Sequence, residues 1–245
     1  MLKFLLNMKT KLYDVPLIKQ GLQNCVQASA AQILNFYGIN KSIKDIQKEV
    51  PVYISKNGKP LGTSLGHIAA YFATLGFSVT LHTVDVEIFD QSWGKISQKK
   101  LIENLKKRRP FVKHARYDND ALDVIFDGYL SLLKLGGNIK LPLLNKKYIE
   151  NLLANGPVYA VVSYNFLNSS PKFSLDKHNK LTEDSIKGEP ATHAIVLAGL
   201  NEDKFLIVDP DEIYGGKRWI SSERLIGSIY LAETDFDCLL ITLRK

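Results

Sequence analysis

The segment that follows Asn24 carries apolar residues at the spacing of an amphipathic helix. They are Val26, Ala30, Ile33, Leu34 and Tyr37. Asn24 and Gln27 have the spacing of a capping box, in which a helix's first side chains bond its free backbone groups. Gly38 supplies a stop signal. The pattern therefore predicts a first helix that begins near Cys25 and ends before Gly38.

Two more helices and a strand are predicted before residue 85. One helix follows Ser42 and stops before Pro51, and the next begins near Thr63 or Ser64. Residues 77–84 then alternate between apolar and polar, as a half-buried strand does. We expect an inward face of Phe77, Val79 and Leu81, and an outward face of Ser78, Thr80 and His82. Residues 12–84 are thus predicted to form a mainly helical lobe.

Residues 85–145 have a different pattern. A basic helix is predicted around residues 97–110 and a very apolar one around residues 121–137. Both look like helices added to a domain, and we interpret the segment as a helical insertion.

Residues 146–245 are predicted to be rich in strands. After a helix capped by Asn145, residues 158–167 form an apolar run typical of a buried strand, and residues 168–190 form a long polar loop. Two apolar runs joined at residues 201–203 then predict a β-hairpin. Helices first and an antiparallel sheet afterwards indicate an α+β fold.

The hairpin brings two chemically useful residues together. His193 opens its first strand and Asp209 ends its second, so both lie near the open end of the hairpin. Side chains on neighbouring strands interact if they share a face of the sheet. The sequence therefore predicts a His193–Asp209 pair.

Composition and charge argue against several other classes of function. The chain has 245 residues, 45% of them apolar, and a formal net charge of +7. No motif that reads nucleic acid accompanies the charge, so no nucleic-acid partner is expected.

The apolar patch at residues 4–6 is too short for a signal peptide or a membrane span. With Cys25 and Cys238 as the two cysteines, no disulfide framework is implied. We predict a cytoplasmic protein.

Cys25 is the candidate nucleophile. A thiol at a helix start meets the positive end of the helix dipole, which favours the reactive thiolate. His193 is the candidate base and Asp209 the group that orients it. Gln20 is the candidate oxyanion-hole amide, together with the backbone N–H of Cys25, and Gln23 competes for this role.

These segments resemble papain-like cysteine peptidases, in particular the bacteriocin-processing (double-glycine leader) peptidases and their stand-alone relatives. The shared blocks follow one order along residues 15–84 and 146–240. They are VPLIKQGLQNC, GTSLGHIAAYFATLGFSV, NGPVYAVVSY, THAIVLAGL and FLIVDP. The resemblance implies a papain-like fold, in which a helical lobe faces an antiparallel sheet across an active-site cleft. It also implies Cys25 as nucleophile, His193 as general base, Asp209 as orienting residue and Gln20 in the oxyanion hole.

The predicted activity is hydrolysis of a peptide, isopeptide or related amide bond through a Cys25 thioester, on a peptide or protein substrate and without a cofactor. An acyl transferase of transglutaminase or phytochelatin-synthase type uses the same thioester. A non-catalytic peptide-binding module is a further alternative, because Val26 stands where relatives usually have glycine. We hypothesise that residues 85–145 lie over or beside the cleft and help to choose the substrate.

The remaining cysteine and histidines are expected to be structural. Cys238 lies in an apolar run and is predicted to be buried. The other histidines lie in polar contexts and are predicted to be surface residues without metal-ligand spacing, so no zinc site is expected. They are His67, His82, His114 and His178.

Overall fold

The computed structural model describes residues 10–21, 23–54, 60–113, 118–175, 181–232 and 239–245. The helices of these parts are α1 (Cys25–Phe36), α2 (Ile43–Glu49), α3 (Leu65–Thr74), α4 (Gln98–Arg108), α5 (Asn119–Lys134), α6 (Lys146–Leu153), α7 (Tyr164–Asn168) and α8 (Ser222–Tyr230). The strands are β1 (Lys11–Leu12), β2 (Tyr53–Ile54), β3 (Pro60–Gly62), β4 (Ser78–His82), β5 (Asn138–Lys140), β6 (Val158–Ser163), β7 (Phe173–Leu175), β8 (Leu181–Glu183), β9 (Thr192–Asn201), β10 (Lys204–Asp209), β11 (Gly216–Ser221) and β12 (Leu240–Arg244).

One large sheet organises the described chain. Its strand order is β11-β10-β9-β6-β12-β4-β5, and β1 also pairs with β9. Neighbours in this sheet are antiparallel, apart from the parallel pair β4–β5. The short pairs β2–β3 and β7–β8 form small hairpins outside it. The second hairpin lies in residues 168–190, which the sequence predicts as an irregular loop.

Both faces of the sheet are covered by helices. Alternate residues of β6 enter different cores, with Tyr159 and Val161 in one and Val158, Ala160 and Val162 in the other. The first core contains the buried side chains of α1, α3 and α5, and the second those of α6 and α8. The predicted α+β fold, in which helices pack on a mostly antiparallel sheet, is confirmed.

His82 is not the surface residue that the alternation of β4 predicts. Its side chain is buried, with Nδ1 2.7 Å from Tyr148 Oη and Nε2 3.1 Å from Thr242 Oγ1. Tyr148 belongs to α6, which covers this face of the sheet. The alternation separates two faces correctly, but it does not reveal that the second face is buried at His82.

The middle segment shares the first core. Its helix α5 crosses α3 so closely that a Cβ atom on Gly66 would lie 2.4 Å from the carbonyl carbon of Gly128. Leu122 and Phe126 of α5 are buried in the same cluster as α1 and α3. Strand β5 extends the sheet beside β4. That this segment selects the substrate remains a prediction.

A β-bulge in the predicted β9–β10 hairpin positions two candidate residues. Leu206 pairs with Gly199, but Ile207 pairs with Leu197, so β9 contains an extra residue at Ala198. Side chains alternate along a strand, and one inserted residue therefore changes which of them share a face. With the bulge, Asp209 lies on the same face as His193. Without it, the two would lie on opposite faces.

Candidate active site

Cys25 is the first residue of α1 and is partly exposed. The predicted capping box is wrong, because Asn24 and Gln27 bond elsewhere. Asn24 Oδ1 accepts a hydrogen bond from the backbone N–H of Gly21 at 2.8 Å. The buried Gln27 side chain donates through Nε2 to the carbonyl oxygen of Val50 at 3.0 Å. Neither side chain caps the helix, and the backbone N–H of Val26 in its first turn instead stabilises the Cys25 thiolate.

The thiol of Cys25 lies beside the imidazole of His193, close enough for each group to shift the pKa of the other. The helix is fixed to the same strand one turn further on, where Ser29 Oγ donates to the carbonyl oxygen of Ala194 at 2.8 Å. Beneath the helix start, the buried Tyr159 donates its hydroxyl proton to the carbonyl oxygen of Val26 at 3.2 Å. These bonds hold the start of α1 against β9 and β6.

His193 and Asp209 form the pair that the hairpin predicts. His193 Nε2 lies 2.8 Å from Asp209 Oδ1, and the side chains are 4% and 0% exposed. Because Nε2 is engaged with Asp209, Nδ1 is the ring nitrogen available to the thiol. Asp209 Oδ1 also accepts the backbone N–H of Asp211 at 3.0 Å. Arg218 Nη2 lies 3.0 Å from Asp209 Oδ2, so both carboxylate oxygens have partners.

Charge separation is favoured along this chain of groups. Burial on its own raises the pKa of the Cys25 thiol, but the hydrogen bond and charge of His193, with the backbone N–H groups of Ala194 and Val26, outweigh it and lower that pKa. Burial likewise opposes the imidazolium, yet Asp209 and Cys25 raise the pKa of His193 to about 10. Burial also opposes the carboxylate, and the His193 hydrogen bond keeps the pKa of Asp209 lowered.

Tyr164 covers the imidazole, a contact that the sequence did not reveal. Its ring meets the His193 ring edge to face, with the centroids 5.4 Å apart at 87°. Its hydroxyl donates to Asp211 Oδ1 at 3.2 Å. Tyr164 and Asp211 are both buried. The pair therefore shields the His193–Asp209 hydrogen bond from water.

The two candidate glutamines have different surroundings. The backbone N–H of Gln20 donates to the carbonyl oxygen of Pro210 at 2.9 Å, which ties its loop to the residue after Asp209. Gln20 Oε1 is buried and has no hydrogen-bond partner within the described parts of the chain. Gln23 is exposed and has a backbone φ of 55°. Val26 packs against the first core.

Of the other candidate residues, those that the structure describes do not join this site. Cys238, His114 and His178 lie outside the described residues. His67, expected at the surface, has a side chain only 16% exposed and lies 3.0 Å from Asp127 Oδ2 through Nε2. In the described ranges, no three His, Cys, Asp or Glu side chains are grouped as ligands of a metal ion. No helix in those ranges combines the length and apolar character needed to cross a membrane.

A thiol at the start of a central helix, facing a His–Asp pair on an antiparallel sheet, is the arrangement of the papain-like class. The model of the Peptidase_C39 like family matches residues 12–232, so the chain belongs to this family. The predicted family resemblance is therefore confirmed. The match also includes residues 85–145, which the shared sequence blocks leave uncovered.

Two solved structures resemble the chain. The first is a putative C39-like peptidase from Bacillus anthracis, with 14% identity, coverage of 97% of this chain and 98% of the other, and a TM-score of 0.49. The second is the peptidase domain of Streptococcus ComA, a bifunctional ABC transporter involved in a quorum-sensing pathway. It has 15% identity, coverage of 94% and 97%, and a TM-score of 0.40. No curated protein matches the chain.

Proposed function

We propose that this protein is a cysteine peptidase that cleaves a peptide, isopeptide or related amide bond through a thioester on Cys25. The observation that carries the proposal is the placement of the Cys25 thiol beside the His193 imidazole, whose Nε2 atom lies 2.8 Å from the Asp209 carboxylate. A thiolate, a proton-carrying imidazole and an orienting carboxylate are the groups that thiol hydrolysis needs.

The acylation step uses the ion pair. The Cys25 thiolate attacks the carbonyl carbon of the amide, and the π electrons of the carbonyl move to its oxygen. When this tetrahedral intermediate collapses, the carbon–nitrogen bond breaks and the His193 imidazolium donates its proton to the leaving nitrogen. The products are a free amine and a thioester on Cys25. Asp209 holds the imidazole in place throughout.

The deacylation step restores the thiolate. His193, now neutral, takes a proton from a water molecule, whose oxygen attacks the thioester carbonyl. The carbon–sulfur bond then breaks, which leaves a carboxylic acid product, the Cys25 thiolate and the His193 imidazolium. Tyr164, packed on the ring, limits competing access of bulk water to the imidazole.

Gln20 completes the site in this proposal. Its amide donates to the developing oxyanion beside the backbone N–H of Cys25. Support comes from its backbone hydrogen bond to Pro210, which fixes it beside the Asp209 end of β10, and from its buried side-chain oxygen. The exposed Gln23 has no comparable anchor among the described contacts.

Membership of a peptidase family supports a peptide or protein as the substrate. A proteome-derived peptide library tests the proposal. The protein and a Cys238→Ala control should create the same new peptide N-termini, while Cys25→Ala should create none. Termini that persist with Cys25→Ala, or a folded wild-type protein that cleaves no peptide, would contradict the proposal.

Adding a primary amine separates hydrolysis from acyl transfer, because a transferase would yield amine-tagged C-termini. The cytoplasmic location remains a prediction.

A further inference from the structure

Arg218 lies behind the candidate triad and bonds its carboxylate. Its Nη2 atom is 3.0 Å from Asp209 Oδ2 and 2.5 Å from Asn168 Oδ1. The strand pairing explains this contact. Arg218 lies opposite Ile207, two pairs from Gly216–Asp209, and therefore shares the sheet face of Asp209. Asn168, the last residue of α7, accepts a second hydrogen bond from the same Nη2 atom.

We propose that Arg218 is a positioning residue, which fixes the Asp209 carboxylate toward His193 and sets the pH range over which the Cys25–His193 ion pair exists. This inference rests on the proposed function. It assigns a role in that reaction to a residue that does not touch the reacting atoms.

The charges around the pair alternate in sign. From one end to the other they are the Cys25 thiolate, the His193 imidazolium, the Asp209 carboxylate and the Arg218 guanidinium. Among the described residues, the other titratable groups that face the pair are Tyr159 of β6, whose hydroxyl bonds the carbonyl oxygen of Val26, and the two neighbours Tyr164 of α7 and Asp211 after β10. These two neighbours bond each other, and Asp211 Oδ1 also accepts the backbone N–H groups of Ile213 and Tyr214 at 2.9 and 2.7 Å. Asp211 is thus held by its own partners, and Arg218 is the cation bonded to Asp209.

The direction of the effect follows from Coulomb's law. The positive charge of Arg218 stabilises the thiolate and the carboxylate and opposes the imidazolium. Its removal should therefore raise the pKa values of Cys25, Asp209 and His193 together. The ion pair would then form at higher pH and persist to higher pH. A His193 that holds its proton more tightly is also a weaker acid toward the leaving nitrogen, so acylation should slow.

The test follows the rate at which iodoacetamide alkylates Cys25, read by peptide mass mapping, from pH 4 to 10 in intact protein. In Arg218→Met, the acid limb of this profile should move to higher pH, by about half to one pH unit. Lys217→Met is the matched control. It removes the same charge from the neighbouring residue, whose Nζ pairs with the exposed Asp14 at 3.0 Å, away from the triad. Its profile should match that of the wild type.

A second variant separates charge from geometry and covers the case in which Arg218→Met does not fold. Arg218→Lys keeps the charge, but its ammonium ends one bond short of the Nη2 position from which Arg218 contacts both Asn168 and Asp209. It should keep the acid limb of the wild type and cleave peptides at least ~10-fold more slowly in kcat. The proposal is overturned if Arg218→Met gives the profile of Lys217→Met, or if Arg218→Lys matches the wild type in cleavage. If instead wild-type Cys25 reacts like a free thiol, it is the proposed function that fails.

Discussion

His193 Nε2 lies 2.8 Å from Asp209 Oδ1, and this contact depends on one extra residue elsewhere in the hairpin. The bulge at Ala198 shifts the register so that both side chains share a face of the sheet. The pair is buried beneath Tyr164 and has Arg218 behind it. A low-dielectric surrounding strengthens each of these charge interactions. The geometry is therefore suited to keeping the imidazole protonated beside a thiolate.

Gln20→Ala is expected to reduce kcat/KM for peptide cleavage by about 10²- to 10³-fold, the usual cost of losing one oxyanion donor. The rate of alkylation of Cys25 by iodoacetamide should not change, because no oxyanion forms in that reaction. Gln23→Ala is the matched control and should be close to wild type in both assays. Equal effects of the two variants on cleavage would contradict the assignment of Gln20.

The Cys25–His193 pair should give the free energy of unfolding a characteristic pH dependence. Near neutral pH the folded pair and the unfolded pair each carry one proton, so this contribution is flat between about pH 6.5 and 8.5. Above that range the unfolded pair loses its proton while His193, with a pKa of about 10, keeps it, and stability falls. Below pH 6.5 the unfolded pair binds a second proton, and stability falls again.

Urea unfolding across pH, compared with a Cys25→Ser/His193→Gln double variant, measures this contribution by difference. A plateau with a fall on either side shows that the folded pair holds one proton between about pH 6.5 and 8.5, as the ion pair requires. A difference that declines steadily from pH 6 to pH 9 would show that the folded pair holds a second proton, as an imidazolium beside a neutral thiol, and would contradict the ion pair.

His82 should make the protein sensitive to acid. Burial, and then the charge of Lys140, lower its pKa to about 4. Its stabilising contribution is complete above the unfolded pKa of about 6.5 and is lost as pH falls toward 4, by roughly 2–3 kcal/mol. His82→Gln should remove this part of the acid sensitivity, measured by urea unfolding at pH 7 and pH 4.5. If the wild type and His82→Gln lost the same free energy of unfolding between pH 7 and pH 4.5, the acid sensitivity would not come from His82.

The α3–α5 crossing should not tolerate a methyl group. In Gly66→Ala the new Cβ would meet the backbone of Gly128 at 2.4 Å, so the helices must separate. We expect a loss of about 1–3 kcal/mol in the free energy of unfolding, measured with urea. Gly94→Ala is the control, because in the described chain no atom beyond its sequence neighbours lies within 4 Å of its Cβ position. Unchanged stability of Gly66→Ala would mean that the two helices do not pack so closely.

The sequence predicted the parts of the site that local patterns control. The start of α1 follows from its apolar periodicity, and the His193–Asp209 pair follows from the spacing of two strands around a turn. The spacing did not predict the bulge at Ala198, although it decides whether the pair shares a face. Its one sequence signal is Gly199, because a lone glycine inside a strand often marks a bulge. The prediction of the pair therefore depended on a face assignment that the spacing alone could not supply.

Long-range contacts explain what the sequence did not reveal. Gln27 has capping-box spacing, but its amide is taken by Val50 on another segment. His82 is covered by Tyr148, which comes 66 residues later. Arg218 and Tyr164 lie on elements whose local patterns show no link to β10. A search for charged residues on the strand after Asp209, at positions that share its face, would have found Arg218.

The central claim is that Cys25 and His193 form a thiolate–imidazolium pair near neutral pH. The most direct measurement is the rate of iodoacetamide alkylation of Cys25 against pH, in the wild type and in His193→Ala. The account predicts rapid alkylation well below the free-thiol pKa of about 8.5 and its loss in His193→Ala. A wild-type Cys25 that reacts only as that pKa is approached, with the same profile in His193→Ala, would contradict it.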